Sequence, residues 1–377
     1  MPSEVYFMDL SATSRENLPD KLARLINKAG IKKMLGQKNH TAVKIHFGEQ
    51  GNTAFIRPVF IRKIIETIKK TGASPFLTDA NTLYAGTRCN AVSHITTAIE
   101  NGFAYSSMNN TPIIIADGLF GKSETRVAVN LKNCEQVYIG SEIAQADALV
   151  SVAHFKGHEL SGFGGTIKNV GMGSASRRGK LDQHSNVSPK IKRKTCIGCG
   201  ECAAHCPGEA IFLEDKKAYI TKEKCIGCAE CIVRCPTGSI NINWNQTIPV
   251  FMEKMVEYTS GVLKNKQNKT LFINFITDIA PKCDCLSYTE SPIVNNIGVA
   301  ASLDPVAVDQ ASVDLVNQQQ GLPHTALKTA LAPGEDKFRG LYPDVDWSYQ
   351  LAYAQEIGLG TRDYKLVKLK TLAYKKS

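Results

Sequence analysis

The sequence predicts an α/β fold, a largely parallel sheet domain interrupted by a small inserted α+β module. Three observations lead there. Apolar runs alternate with an amphipathic helical pattern through the first half, a repeat rich in cysteine, glycine and proline follows, and the α/β pattern then resumes. With 377 residues, 43% of them hydrophobic, the chain is long enough for a sizeable core plus one appended module.

In chain order, HTAVKIHF (40–47), SPFLTDA (74–80), TPIIIADG (111–118), EQVYIG (135–140) and DALVSVAHF (147–155) are apolar runs bounded by turn residues, as buried strands require. Between the first two lies RPVFIRKIIETIKKTG (57–72). There Val59, Phe60, Ile64, Ile65 and Ile68 recur at helical spacing, Pro58 suits the first turn and Gly72 the stop. That βαβ rhythm implies parallel strands covered by helices, and parallel sheets bind ligands at the carboxyl ends of their strands. After the repeat come a helical pattern at 251–264, a strand pattern at 270–276 and another apolar run at 295–309. The expected division is an α/β domain first part over 1–187, a module over 188–246, and the second part of the α/β domain over 247–377.

The module holds two half-repeats, CIGCGECAAHCP (196–207) and CIGCAECIVRCP (225–236). Each carries the C-x2-C-x2-C-x3-C-P run that binds a [4Fe–4S] cluster. Over about sixty residues the segment resembles the bacterial two-cluster ferredoxins. In that family the fourth cysteine of each run serves the other cluster. The resemblance therefore implies one cluster on Cys196, Cys199, Cys202 and Cys235 and another on Cys225, Cys228, Cys231 and Cys206. A zinc ribbon is the rival for CxxC pairs, but needs only four cysteines per metal and no crossing of ligands.

A second constellation is HFKGHELSGFGGTIKNVGMGSASRRGK (154–180), glycine-rich and directly after a predicted strand, which suits a loop whose backbone approaches a ligand closely. Phosphate cradling by Lys168, Arg177, Arg178 and Lys180, simple tight packing, and a cofactor or metal pocket are its three readings. In the last, His154, His158 and Lys168 are the candidate catalytic residues. The G-x-x-x-x-G-K-[ST] order of a nucleotide P-loop is absent. Through KIHFGEQGNTAFIRP (44–58), DANTLYAGTR (79–88), HFKGHELSGFGGTIKNVGMG (154–173) and PKCDC (281–285) the chain resembles the domain of unknown function 362 group of iron–sulfur proteins, which implies architecture and no particular reaction. HELSGFGGTIK (158–168) and IRPVF (56–60) resemble, more distantly, stretches of the nickel-pincer lactate racemases. That resemblance implies a cofactor tether at Lys168 and a metal ligand or acid/base at His158. Ala54 and the AGTR stretch (85–88) depart from the racemase pattern.

The PKCDC stretch adds Cys283 and Cys285, a candidate third metal site. Residues i and i+2 of an extended segment share a face, so both sulfurs address one space, and Asp278 or Asp284 could add an oxygen. A reversible Cys283–Cys285 disulfide and a pair of inert thiols are the alternatives. His46, Arg57, Asp79 and Asp304, beside strand ends or turns, read first as caps or buried hydrogen-bond partners. Cys89 and Cys134 read as buried thiols, and His184 and His324 as surface residues.

The formal charge of +10 is spread along the chain with no nucleic-acid motif, so no nucleic-acid partner is expected. The opening MPSEVYFMDL has no basic segment leading into an apolar one and no later run approaches a membrane span; a cytoplasmic, reducing and anaerobic setting and no membrane association are expected. The expected function is an iron–sulfur oxidoreductase. Its two [4Fe–4S] clusters exchange electrons with a pocket in the α/β domain that takes an unknown small molecule, with a further metal or organic cofactor as candidate occupant. A ferredoxin, flavoprotein or reductase is the expected redox partner. An electron-transfer subunit without its own catalysis, and a redox-neutral isomerase or lyase on a pincer-racemase-like scaffold, are the alternatives.

Overall fold

Four apolar runs of the sequence, near 40–47, 74–80, 147–155 and 270–276, become adjacent strands of one sheet in the computed structural model, which describes residues 2–185, 188–242 and 247–372. In chain order the strands are β1 (Ser3–Asp9), β2 (His40–Lys44), β3 (Ser74–Thr78), a hairpin of β4 (Glu124–Ala128) and β5 (Gln136–Gly140), β6 (Ala148–His154), and a short hairpin of β7 (Lys156–His158) and β8 (Gly162–Gly164). Then follow β9 (Lys190–Ile191), β10 (Ile211–Glu214), β11 (Lys217–Ile220), β12 (Ile240–Asn241), β13 (Thr270–Ile276), β14 (Gly298–Ser302) and β15 (Tyr364–Lys368). Seven of them form the central sheet, in the order β15-β1-β14-β13-β6-β2-β3. The pairs β3–β2, β2–β6, β6–β13 and β1–β15 are parallel, and β14 is antiparallel to both neighbours.

Side-chain alternation splits the core into two layers. On β13, Leu271, Ile273 and Phe275 enter the cluster on one face while Phe272 and Ile276 enter the other. The helix Pro58–Lys69 covers the first face with Ile61, Ile64, Ile65 and Ile68, and ends before Gly72, whose φ of +87° few other residues adopt. The helices Ile248–Leu263 and Pro305–Asn317 cover the second face. One expected strand differs. The run 111–118 lies along the edge of β3, accepting from Leu77 at Pro112 and donating from Ile114 and Ala116, yet only one bridge forms, between Leu77 and Ile113. Pro112 has no N–H to extend the ladder.

The cysteine-rich segment stands apart as two small two-stranded sheets, β10–β11 and β9–β12. Its entering and leaving strands, β9 and β12, pair with each other, so the chain leaves the α/β body and returns beside its point of departure. The boundary residues expected at 187 and 246 lie outside the described residues. Leu83 and Leu181 of the α/β body pack into the apolar cluster of this segment together with Cys202, Cys231 and Ile232. A buried ion pair reinforces the seam: Arg177 meets Glu230 at 3.0 Å, with both side chains 1% exposed.

Parallel strands β3, β2, β6 and β13 end at the same edge, where Asp79, Lys44 with His46, His154, and Thr277 follow in order. The glycine-rich loop and PKCDC meet there. Gly157 donates to Ala280 O at 2.9 Å, and a Cβ on Gly157 would lie 2.2 Å from the carbonyl oxygen of Pro281. Gly157→Ala should therefore push the PKCDC loop away at a cost of about 1–3 kcal/mol. Denaturant unfolding should register the loss, together with faster alkylation of Cys283; an unchanged midpoint and an unchanged alkylation rate would mean the contact carries no constraint.

Candidate functional site

A cavity of about 670 Å³ opens at this carboxyl edge, within the range of small-molecule sites. Five cationic side chains, Lys44, Arg88, Lys156, Lys168 and Lys180, line it together with His46, His158 and His184. Its acidic groups are mostly committed to neutralising part of that charge. Asp79 meets Lys44 at 2.9 Å and Arg88 at 3.5 Å, and Glu49 takes Arg88 at 3.0 Å and the Thr87 N–H at 2.9 Å. Burial alone would raise the Asp79 carboxyl, yet Lys44 and His94 hold it well below the usual carboxylate range. Lys180 differs: burial outweighs the attraction of Asp117 and lowers it to about 8. An anion entering this space meets a surplus of positive charge.

PKCDC supplies the sulfur wall. Asp284 points into the protein, fully buried, and is held by His154 Nδ1 at 2.9 Å and Lys156 Nζ at 3.2 Å. Although burial opposes its charge, His154 and Lys156 keep its carboxyl far below the usual range. Residues Cys283 to Leu286 form a tight turn and not the extended segment expected, with the Leu286 N–H on the Cys283 carbonyl at 3.2 Å, and with Asp284 anchored inward this turn places both cysteine sulfurs on the cavity, 2.7 Å apart. Lys168 donates to Cys283 Sγ at 3.3 Å, and Tyr84, which takes a hydrogen bond from Arg88, donates to the Cys285 carbonyl at 3.1 Å. The hydrogen bond shared between the sulfurs raises Cys283 to about 12 and holds Cys285 well below its ordinary value, where Lys168 and Arg88 add attraction. Burial disfavours the Lys168 charge, but the two sulfurs more than offset it and raise its pKa.

The histidines divide into different roles. His154 faces only acceptors, Asp284 through Nδ1 and the Thr277 and Asp278 carbonyls through Nε2 at 2.8 and 3.1 Å, so both nitrogens are occupied and neither is free to ligate. Its role is to position Asp284. His46 Nδ1 accepts from the Gly48 N–H at 3.0 Å, which leaves the proton on Nε2, 3.7 Å from Cys285 Sγ. Burial, reinforced by Arg88, lowers His46 to about 3, so the ring is neutral near pH 7. His158 contacts Ser161 Oγ at 2.9 Å and is pushed well down by burial and by Lys168. His184, expected at the surface, is instead half-buried and stacks on Phe251 at 4.9 Å beside the cavity, because the helix Arg177–His184 turns its last residue inward.

Several residues outside the site are ordinary structure. Asp304 caps the helix Pro305–Asn317 by accepting from Val306 N and Ala307 N, Arg57 is exposed at a helix start, His324 is exposed, Cys134 is buried and Cys89 half-buried. The phosphate-cradle reading of 154–180 loses two members, as Arg177 is spent on Glu230 and on the carbonyls of Thr82, Phe120 and Cys89, and Arg178 lies outside the cavity lining against Tyr138 and Glu124. Lys44, Glu49, Tyr84 and Arg88 escaped the sequence reading. The available signal was a lysine inside the apolar run HTAVKIHF and an arginine in the AGTR stretch.

In the module, Cys196, Cys199, Cys202 and Cys235 line one small cavity, and Cys206, Cys225, Cys228 and Cys231 line another. Backbone N–H groups of Ala218, Ser239 and Ala210 point at the sulfurs of Cys196, Cys235 and Cys206 at 3.4, 3.2 and 3.3 Å. Among the described residues no group of three or more His, Cys, Asp or Glu side chains stands ready to hold a single metal ion.

Residues 41–314 match the family described as a domain of unknown function, DUF362. The chain belongs to the DUF362 family. No curated protein matches this DUF362 chain. Among solved structures it is similar to the lactate racemase apoprotein from Thermoanaerobacterium thermosaccharolyticum, at 14% identity and a TM-score of 0.37 over 72% of this chain and 51% of that one. It is also similar to a structural-genomics target protein from Thermotoga maritima, at 8% identity and a TM-score of 0.38 over 90% and 58%. The DUF362 chain thus spans little more than half the length of either protein.

Asp284→Asn tests the anchor of the sulfur wall. Removing one partner leaves His154 and Lys156 buried without their counter-ion, at a cost of about 3–5 kcal/mol. Since the folded-state pKa of Asp284 is depressed, its contribution is fully present above the unfolded value of about 3.9 and fades as pH falls below it. The stability gap between wild type and variant should accordingly shrink as pH falls below about 4; a gap that widened there would contradict the assignment.

Proposed function

We propose that the protein is an iron–sulfur oxidoreductase whose two [4Fe–4S] clusters exchange electrons with a small anionic substrate in the carboxyl-edge cavity. The observation that carries this reading is the contiguity of module and cavity. Leu83 lines the cavity and also packs into the module's apolar cluster, and the neighbouring Arg177–Glu230 pair ties the second half-repeat, between Cys228 and Cys231, to the α/β body.

The donor sets suit the clusters. A cubane takes one thiolate per iron, so it calls for four thiols spaced around a cavity, in place of the close three-ligand group a single ion requires. Cys196, Cys199, Cys202 and Cys235 would hold one and Cys206, Cys225, Cys228 and Cys231 the other, with the Ala218, Ser239 and Ala210 N–H groups hydrogen-bonding sulfur. When bound, the clusters supply one-electron transfer at low potential. Cys199 is exposed, which suits entry of electrons from a redox partner protein such as a ferredoxin, flavoprotein or reductase, whereas Cys231 is buried toward the body.

The chain's own residues do the rest. Lys44, Lys180 and Arg88 attract and orient an anion, and His158 and His184, both stacked on Phe251, give the cavity an aromatic wall. Lys180, near neutrality in its pKa, is poised to give or take a proton. A reducing, anaerobic cytoplasm is the setting such clusters suit.

Anaerobic reconstitution should yield about eight iron and eight sulfide per chain and a low-potential signal on reduction. Cys206→Ser should damage the cluster otherwise held by the second repeat, to which Cys225, Cys228 and Cys231 belong. Zinc without sulfide would overturn the reading. Reducible clusters with no substrate at the cavity would favour an electron-transfer subunit, and turnover without an electron donor would favour a redox-neutral isomerase or lyase.

A further inference from the structure

We propose that Cys283 and Cys285 form a redox-active dithiol that cycles with its own disulfide, Cys285 being the sulfur that attacks. This rests on the oxidoreductase reading only for the source of its electrons. The geometry itself is independent of the module.

Three features separate a dithiol from a metal site. The oxygen nearest in sequence is unavailable, because the Asp284 carboxylate is turned away from the sulfurs and saturated by His154 and Lys156. The nearest imidazole is unavailable as well, since the Gly48 N–H occupies His46 Nδ1 and so leaves a proton, not a lone pair, on the nitrogen facing Cys285. A metal-ligating histidine shows the reverse, with its non-ligating nitrogen donating. Finally, the cation nearest the sulfurs is the Lys168 ammonium, 3.3 Å from Cys283 Sγ and inside the cavity, where a second positive charge would be repelled.

Those same features build a reactive thiol pair. The pair holds one proton between its sulfurs: Cys283 Sγ accepts from Lys168 Nζ at 3.3 Å and from the Cys285 N–H at 3.4 Å, while Cys285 Sγ, on the less buried of the two residues, faces the His46 Nε2–H at 3.7 Å and is the sulfur a ligand reaches. The buried partner, Cys283, keeps its proton and stands in line to resolve. Against a small disulfide in the cavity, the Cys285 thiolate attacks one sulfur, the S–S bond of the ligand breaks and one thiolate leaves. Cys283, passing its proton to that leaving group, then attacks Cys285 Sγ. The second thiolate leaves, and the Cys283–Cys285 bond is formed. Returning the pair to its starting state takes two electrons and one proton, because Cys285 returns as thiolate. Two one-electron iron–sulfur centres supply that number. The cationic lining selects the ligand class: anionic small disulfides over cationic ones.

The test uses the reconstituted full chain under anaerobic conditions, equilibrated in mixtures of reduced and oxidised dithiothreitol, acid-quenched, alkylated and mapped by peptide mass. The expected result is a reversible two-electron transition confined to the PKCDC peptide. Its equilibrium constant for reduction should rise about tenfold per pH unit between pH 6 and 8, equivalent to about 30 mV, since dithiothreitol releases two protons and the pair takes up one. In Cys283→Ser, oxidised glutathione should be trapped on Cys285 as a mixed disulfide, faster than the cationic cystamine; Cys285→Ser should trap neither at a comparable rate. A pair that stays reduced throughout, or a bound metal beyond the eight irons that leaves in the double serine variant, overturns the proposal. A pH-independent equilibrium constant overturns the thiolate assignment on Cys285. Failure of the module is read separately: in Cys206→Ser the dithiothreitol transition should persist while reduction of the pair by dithionite slows, and loss of the transition itself in that variant would refute the independence of the dithiol.

Discussion

A single buried carboxylate organises the site. Asp284 has no water to solvate it, so its charge survives only because His154 and Lys156 are brought to it from the end of β6 and the start of β7. That requirement fixes the loop after β13 against the glycine-rich hairpin, and Gly157 makes the approach sterically open. Once the aspartate is anchored inward, the turn from Cys283 to Leu286 presents both cysteine sulfurs to the cavity. The electrostatics of the cavity follow from the same constraint. Lys168 is retained as a buried cation by sulfur charge, and Lys44, Arg88 and Lys156 are matched by Asp79, Glu49 and Asp284, which leaves Lys180, among the described residues, as the lining cation with no carboxylate in ion-pair contact.

Much of this was legible in the sequence. Helical spacing over 57–72, the strands near 40–47, 74–80, 147–155 and 270–276, and the interrupted α/β order follow from periodicity and turn residues, which are local properties. PKCDC and the 154–168 stretch read as separate constellations in the sequence, and the contact of Lys168 with Cys283 joins them in the fold. What could not be read was direction. The sequence shows His154 as an available imidazole, while in the fold both its nitrogens are spent on Asp284 and two carbonyls. His184 reads as a polar helix end, and only the packing of Phe251 against it reveals that it faces inward. Lys44, a lysine inside an apolar run, escaped notice because its partner is distant in sequence: it is 1% exposed and paired to Asp79 at the end of the neighbouring strand. Pairings across strands depend on register, which local patterns do not carry.

The buried seam between body and module has a consequence for descent and engineering. Because β9 and β12 leave and rejoin the body side by side, the cysteine-rich segment could be excised and the gap closed by a short turn without rethreading the sheet. Arg177 makes that surgery costly. Its guanidinium sits among the carbonyls of Thr82, Phe120 and Cys89, with Glu230 of the module as its carboxylate partner. A relative lacking the insert would thus be expected to have traded this arginine for a neutral residue, and a shortened chain made in the laboratory would need the same exchange to remain soluble and folded. The two parts are separable in topology and interlocked in charge.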